Sequence, residues 1–310
     1  MATKPKSTVD HTPVRVVIVT MDTHLASATD RARIKLQKDL PGLTLSLHAA
    51  SEWQGDQEAL EACRSDIEKA DIIIATMLFL EDQYKPIVPA LEARRDNCDA
   101  LVCAMSAADV TKLTHMGSFD MSKPSSGPMT LLKRLRGNKD KESGGTAGAQ
   151  QMKMLRRIPQ LLRFIPGTAQ DVRAYFLTLQ YWLGGSEENM SNMIRFLVDR
   201  YASGPRAALK GKVPSSMPVE YPETGIYHPD MKPRISDRLQ DLPVRWSDKN
   251  AKGRVGVLVL RSYVLAGNAG HYDPVIRSLE EEGMQVVPAF ASGLDSRPAI
   301  EKFFMKDGRP

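Results

Sequence analysis

Three short clusters combine imidazole, phenol or carboxylate side chains and could take part in chemistry. They lie at residues 22–24, 227–230 and 271–273. Imidazoles and carboxylates can accept a proton or hold a metal ion, so proton transfer and metal transfer are the reactions that they would support. The spacing does not support a Ser-His-Asp set, a helical pair of metal ligands or a close pair of carboxylates. Spacing alone therefore does not define a reaction.

The cluster at 271–273 stands where a predicted strand gives way to a helix. The apolar run at residues 255–260 is typical of a strand buried on both faces, and Asp273 before a proline is typical of a helix N-cap. His271 would then lie at the carboxyl edge of a sheet, where open sheets bind ligands, and it is the candidate catalytic residue. The alternatives are structural: Asp273 serves as the cap, Asn268 as a left-handed turn residue, and His271 as a hydrogen-bond partner of the turn.

The segment after this cluster predicts the opening of a second domain. The helix ends at Gly283, residues 285–290 are expected to form a second strand, and Asp295 or Ser296 begins a further helix. This order is typical of a parallel open sheet, but two parallel strands cannot cover both faces of a core. We therefore expect residues 254–310 to be the beginning of a second, incomplete α/β domain, and the chain to be an N-terminal fragment.

The first part of the chain predicts an α/β head domain at residues 14–116. Strand and helix signals alternate, with strands expected at 14–20, 43–49, 72–75 and 100–104. The pattern is typical of a flavodoxin-like open parallel sheet, whose ligands bind at the carboxyl ends of the strands. Those ends carry Asp22 and His24 in one loop and residues 77–80 in another. Neither loop has the glycines of a phosphate-binding loop, so nucleotide binding is not expected.

The remaining segments are expected to connect these domains. Residues 1–13 should form a disordered tail, residues 117–151 a flexible Gly/Ser/Lys-rich insertion, and residues 152–253 a helical neck with a proline-rich connection. Within the neck, helices at 169–183 and 186–201 should form an antiparallel hairpin. The neck also carries the excess of Lys and Arg behind the net charge of +5. That excess is either a solvated face or a docking surface for an acidic partner.

Composition limits the class of protein. The sequence has no apolar run of about eighteen residues and no apolar leader, so neither a transmembrane segment nor a secretory signal is expected. Cys63, Cys98 and Cys103 are odd in number and lie in or beside apolar stretches, which favours reduced thiols in a cytoplasm. The basic run at 133–141 lacks interleaved aromatic residues, so nucleic-acid binding is not expected.

Several longer blocks of sequence resemble one known family. The Gly-Asn-Ala-Gly-His-Tyr-Asp-Pro block at 267–274 and the blocks at 164–185 and 286–300 are similar to the large, porphyrin-binding subunits of magnesium chelatase. Shorter blocks at 70–76 and 225–230 extend the similarity over nearly the whole chain. The wider family includes the large subunit of cobaltochelatase, which acts on a corrin precursor and is the alternative identity.

The resemblance implies an activity and partners for the complete subunit. Protoporphyrin IX and Mg²⁺ would be its substrates, and two ATPase-type subunits would hydrolyse ATP that is not bound here. Tyr227, His228 and Tyr272 are the candidate porphyrin contacts, and His271 keeps its candidate catalytic role. The location implied is the bacterial cytoplasm, or the chloroplast stroma in a plastid-bearing organism. The alternative from another class is a non-catalytic docking module of such a complex.

Overall fold

The computed structural model describes residues 11–123, 157–243, 250–293 and 295–305. Most of the expected tail at 1–13 and of the expected insertion at 117–151 therefore lies outside the described residues. The chain divides into two compact units. The first unit comprises Met1–Leu183 and Glu187–Pro218, and the second comprises Gly184–Ser186 and Val219–Pro310.

The first unit is built on an open sheet whose four longer strands are parallel. The strands β1 (Val14–Thr20), β2 (Leu43–Ala49), β3 (Ile72–Thr76) and β4 (Ala100–Ala104) lie in the order β2-β1-β3-β4. This arrangement confirms the predicted open parallel sheet. Two short strands, β5 (His115–Met116) and β6 (Phe119–Asp120), continue the sheet in antiparallel fashion beyond the expected boundary at residue 116.

Helices accompany this sheet because its inner strands are apolar on both faces. The helices are α1 (Ala26–Leu36), α2 (Gln57–Lys69), α3 (Glu81–Tyr84), α4 (Val88–Arg94) and α5 (Ala108–Thr111). On one face Val17 and Val19 of β1 pack with Leu60 of α2 and Leu91 of α4. The other residues of β1 point to the opposite face, which α1 covers. All three cysteines are free thiols, as predicted.

Two long helices complete the first unit. They are α6 (Thr168–Gly184) and α7 (Glu187–Tyr201), and the contact between the Tyr181 and Phe196 rings, with centroids 5.9 Å apart, fits the predicted hairpin. Helix α7 packs along α1, where Arg31 Nε lies 3.2 Å from Glu187 Oε2. The expected separate neck is therefore corrected: these helices cover the head sheet and belong to its compact unit.

The second unit contains a four-stranded mixed sheet. Its strands β7 (Thr224–Tyr227), β8 (Ile235–Ser236), β9 (Gly253–Leu258) and β10 (Met284–Ala291) lie in the order β8-β7-β10-β9. The predicted parallel pair is confirmed as β9 and β10, but β7 and β8 join it in antiparallel fashion. The expectation that β9 is buried on both faces is wrong, because β9 is an edge strand and its residues are exposed or half-buried. The expected domain start at residue 254 is too late, because β7 already belongs to this sheet and pairs with β10. It lies in a stretch at 223–228 that contains no proline, although prolines flank that stretch.

Helices pack on both faces of the second sheet. They are α8 (Arg261–Leu265), α9 (Tyr272–Glu281) and α10 (Arg297–Ala299), which continues into a π-helical turn at Ile300–Phe304. On one face Ile276 of α9 packs with Phe290 of β10, and on the other face Phe303 packs with Val287. Burial of the Ile276 and Phe290 side chains contributes about 1.5–3 kcal/mol each. None of the helices in the described ranges is long and apolar enough to span a membrane.

Candidate functional site

The loop between α8 and α9 holds His271 at the surface of the second unit. The prediction that a strand gives way directly to this helix is therefore wrong, because α8 lies between β9 and the loop. The imidazole is exposed, and its ring lies 3.8 Å from the Tyr272 ring and 5.4 Å from the Tyr263 ring, between centroids. His271 occupies the N-cap position of α9 without a capping hydrogen bond from its side chain. The predicted candidate is thus an accessible imidazole next to two phenol rings.

Two predictions about this loop are wrong. Asp273 does not cap α9, because the helix already begins at Tyr272 and places Asp273 inside its first turn. Asn268 does not adopt the left-handed turn, since Gly267 does so with a φ of 67°. Glycine adopts that backbone conformation without the steric cost of a Cβ atom, so the turn does not need an asparagine.

Tyr272 links the end of β9 to the start of α9. Its hydroxyl oxygen accepts a hydrogen bond from the backbone N–H of Leu260, with the two atoms 3.1 Å apart. The side chain is only partly buried. The ring therefore keeps a surface that a ligand can reach, while the bond at its hydroxyl fixes its orientation.

Tyr227 is bonded to the carboxylate that was expected to cap α9. Its hydroxyl donates to Asp273 Oδ1 over 2.5 Å, and Arg234 Nη1 lies 3.8 Å from Asp273 Oδ2. Burial and the Asp273 carboxylate both raise the pKa of Tyr227, so the phenol keeps its proton at neutral pH. Because Tyr227 is 1% exposed, its structural role is to tie β7 to the first turn of α9.

His228 forms a second buried link between β7 and α9. Its Nε2 lies 3.0 Å from Glu280 Oε1, and the two side chains are 1% and 4% exposed. Its Nδ1 accepts from the backbone N–H of Asp230 over 3.2 Å, so the proton of the neutral ring is on Nε2 and is donated to Glu280. Removing the His228 ring would leave the buried Glu280 without this donor, which costs about 1–3 kcal/mol.

The structure therefore places the four candidates along α9, with His271, Tyr272 and Tyr227 at its first turn and His228 at its last turn, but gives them different access. His271 and part of Tyr272 can be reached from outside, whereas Tyr227 and His228 are covered. Sequence reasoning missed Glu280, which stands in a run of three glutamates that looks like a solvent-facing helix surface. Nothing in the local sequence indicates that it bonds a histidine 52 residues away.

The candidates of the head domain form a separate pair. The His24 ring nitrogen Nδ1 is bonded to Asp22, and the His24 ring makes an edge contact with Trp182, with centroids 6.3 Å apart. His24 is 8% exposed. In the other loop, Phe79 and Leu80 are exposed and Met77 has a φ of 60°.

The second unit also contains a cleft of about 880 Å³. Charged residues of both signs line it, including Asp230, Lys232, Asp237 and Arg238. None of His271, Tyr272, Tyr227 and His228 is among the lining residues. Within the described part of the chain, no group of three or more His, Cys, Asp or Glu residues could hold a metal ion.

Comparison with known proteins relates both units to described families. Residues 15–176 match the family described as "Domain of unknown function (DUF3479)", and residues 179–310 match the one described as "CobN/Magnesium Chelatase". A magnesium-chelatase H subunit from Cereibacter sphaeroides is 49% identical over 93% of this chain and 24% of its own length. The chloroplastic magnesium-chelatase ChlH protein of Oryza sativa subsp. indica is 30% identical over 94% of this chain and 21% of its own length.

A solved structure is also similar, although too weakly to carry an argument. The match to the catalytic subunit of cobaltochelatase from Mycobacterium tuberculosis covers 94% of this chain and 17% of the cobaltochelatase chain, with 15% identity and a TM-score of 0.42. The chain spans about a quarter of the length of the curated relatives that it matches. The DUF3479 match extends over more than half of the chain, so the chain belongs to the DUF3479 family, and its residues 179–310 match the CobN/magnesium-chelatase family.

Proposed function

We propose that this chain is the N-terminal part of the porphyrin-binding subunit of a magnesium chelatase. The complex would insert Mg²⁺ into protoporphyrin IX during the synthesis of chlorophyll or bacteriochlorophyll. The observation that carries the proposal is the 49% identity to a magnesium-chelatase H subunit over 93% of the chain. Both Mg²⁺ and protoporphyrin IX are substrates of the complete protein. Two ATPase-type partner subunits would bind and hydrolyse the ATP.

We propose that His271 takes part in the reaction. Metal insertion requires that the two pyrrole N–H groups of the porphyrin lose their protons. A neutral imidazole can accept such a proton, and the His271 ring is exposed at the start of α9. The Tyr272 ring beside it offers an apolar face on which a flat tetrapyrrole can pack.

The buried residues of the cluster would act by positioning. Tyr227 and His228 hold α9 against β7 through Asp273 and Glu280, and α9 carries Tyr272. A shift of α9 would move His271 and Tyr272 together. The buried pairs would therefore affect the orientation of the exposed residues without touching the substrate.

A cobaltochelatase large subunit is the second candidate. It is favoured by the family description over residues 179–310, which covers both enzymes. The relatives at 49% and 30% identity are both magnesium-chelatase subunits, which favours magnesium. A location in the bacterial cytoplasm or the chloroplast stroma belongs to the same proposal, as does the contact with the partner subunits.

The role of His271 can be tested in the full-length protein that carries this chain. The assay mixes it with the ATPase partners, ATP, Mg²⁺ and protoporphyrin IX, and follows the fluorescence of the magnesium porphyrin. His271→Asn should lower the rate by about a hundredfold, the smaller end of the range for general base catalysis. His11→Asn is the matched control, because it removes an exposed imidazole outside the second unit. Equal rates for the two variants would exclude His271 as the proton acceptor.

A further inference from the structure

The sequence of β9 and its place in the second sheet do not match. Residues 255–260 form a nearly continuous apolar run, which is typical of a strand that is buried on both faces of a sheet. Yet β9 lies at the edge of its sheet, next to β10 alone. Its residues are exposed or half-buried, and Leu258 is 45% exposed. The apolar run therefore lacks the cover that its composition predicts.

The other edge strands of this chain are built differently. In β2, at the edge of the head sheet, the apolar residues alternate with Thr44, Ser46 and His48. β8, at the other edge of the second sheet, has only two residues. Native sheets keep their edges polar or short, because an open apolar edge pairs with other strands. β9 has six residues, and apart from Arg254 they are all glycine, valine or leucine.

The backbone of β9 has hydrogen-bonding groups at its free edge. The N–H of Val259 donates to the carbonyl oxygen of Ala289 in β10 over 2.9 Å. Since successive N–H groups of a strand point to opposite sides, those of Gly256 and Leu258 point away from β10. The sheet has no strand on that side in the part of the chain that the structure describes. A further strand placed there would continue the ladder of hydrogen bonds.

The two faces of β9 are covered unequally. On one face Val257 packs in the cluster that contains Ile276 of α9. On the other face the ring of Phe304 lies over Gly256, where a Cβ would come within 2.9 Å of it. Leu258 points to the same face as Gly256, yet its side chain remains largely accessible. A neighbouring strand and the segment that connects it would cover Leu258.

The length of a relative indicates where this strand comes from. The match to the relative from Cereibacter sphaeroides covers 24% of that protein, so the rest of such a polypeptide is long enough to supply further strands. A second copy of this chain fits less well. Two β9 strands related by a two-fold axis would run antiparallel, whereas a nearly continuous apolar run is typical of a parallel sheet.

We propose that in the full-length protein the free edge of β9 binds an extended, apolar strand from the part of the polypeptide outside this chain. The backbone groups of Gly256 and Leu258 form its hydrogen bonds, and the Leu258 side chain becomes buried. β9 is then an inner strand, as its sequence predicts. The proposal does not depend on the chelatase reaction.

Hydrogen–deuterium exchange measured by mass spectrometry tests this edge. It compares the 310-residue chain with the full-length protein that carries it. The amides of Gly256 and Leu258 should exchange at least about a hundredfold more slowly in the full-length protein, because only there are they hydrogen-bonded within a sheet. The amides of β2 are the control and should exchange equally in both. Equal rates for β9, or a change at β2 as large as that at β9, would overturn the proposal.

Two other outcomes assign the edge to a different occupant. Protection of β9 that grows with the concentration of the full-length protein assigns the edge to a second copy. Protection that appears only after the ATPase partners are added assigns it to a partner subunit. Either result would overturn the proposal.

A pair of variants tests the same edge by stability. Leu258→Lys should leave the thermal transition of the 310-residue chain nearly unchanged, because the side chain is largely accessible there. In the full-length protein the charge would be buried, so the same variant should lower the Tm of this domain. Thr44→Lys, at an exposed position of β2, is the control and should change neither Tm. Equal shifts for Leu258→Lys in the two proteins would contradict the burial of Leu258.

Discussion

Replacing Asp171 by asparagine should destabilise the first unit by about 3 kcal/mol. The Asp171 carboxylate accepts four hydrogen bonds at 2.8–3.0 Å, from the backbone N–H and hydroxyl of Ser118, from Arg200 Nη2 and from the Tyr201 hydroxyl. These bonds join α6 to the β5–β6 turn and to α7. The amide oxygen of asparagine can keep two of the four, so two bonds to a charged group are lost. A hydrogen bond to a charged group contributes about 1.5 kcal/mol at the low end of its range. The low end applies here because Arg200 is partly exposed, and solvent weakens its interaction with Asp171.

The stability that Asp171→Asn removes depends on pH, and the pKa of Asp171 determines the direction of this dependence. Burial alone would raise the pKa of Asp171, but the hydrogen bonds from Ser118, Arg200 and Tyr201 outweigh it and hold that pKa below its usual value. The ionised carboxylate therefore adds stability above the unfolded pKa of about 3.9, and this stability is lost as the pH falls through the lower folded pKa. The difference between parent and variant should be constant above about pH 5 and shrink below about pH 4.

Urea denaturation at several pH values measures this difference. Asp109→Asn is the matched control, since Asp109 is exposed and, within the described residues, its only ion pair is with Lys112 at the C-cap of the same short helix. It should show no measurable change. If Asp171→Asn behaved like the control, or if its effect grew as the pH fell, the hydrogen-bond network would not stabilise the unit as described.

Three further predictions concern packing and reactivity. Gly117→Ala should destabilise the first unit by about 1–3 kcal/mol in denaturant titrations, because φ is 57° there and a Cβ would lie 2.7 Å from Asp171 Oδ2; equal midpoints would contradict this. Tyr227→Phe should lower the stability of the second unit by about 1–3 kcal/mol, since Asp273 loses a donor. An unchanged thermal transition would show that the hydrogen bond between Tyr227 and Asp273 does not stabilise the unit. Burial raises the pKa of Cys63 to about 12 and that of Cys98 to about 11, so iodoacetamide at about pH 8 should label the native protein far more slowly than the urea-unfolded protein; equal rates would mean that these thiols are open.

The parts of the fold that follow local patterns could be predicted from the sequence. The strands β1, β3 and β4 are short apolar runs, and β9 and β10 flank a helix with a clear apolar face, so periodicity alone identifies them. The two-residue strands β5, β6 and β8 carry no such pattern, because two residues cannot show an alternation. Their pairing follows from the neighbouring sheet edge, which only the folded chain provides.

The candidate site divides in the same way. His271 could be proposed from the sequence because the pattern predicts a strand that gives way to a helix there, and such loops border the ligand edge of a sheet. The short helix α8 between β9 and this loop was not predicted. The roles of Asp273 and Glu280 could not be predicted, because their partners Tyr227 and His228 are 46 and 52 residues away in the chain. The local sequence pattern predicted that Asp273 caps the helix, whereas in the structure its carboxylate accepts a long-range hydrogen bond from Tyr227.

Metal insertion by the full-length protein tests the central claim most directly. The protein would be combined with its ATPase partners and supplied either with Mg²⁺ and protoporphyrin IX or with Co²⁺ and a corrin precursor, each with and without ATP. We predict a magnesium porphyrin that forms only with ATP, seen by its fluorescence, and no cobalt corrin. Formation of the cobalt corrin without any magnesium porphyrin would contradict this prediction and assign the chain to the cobaltochelatase branch of its family.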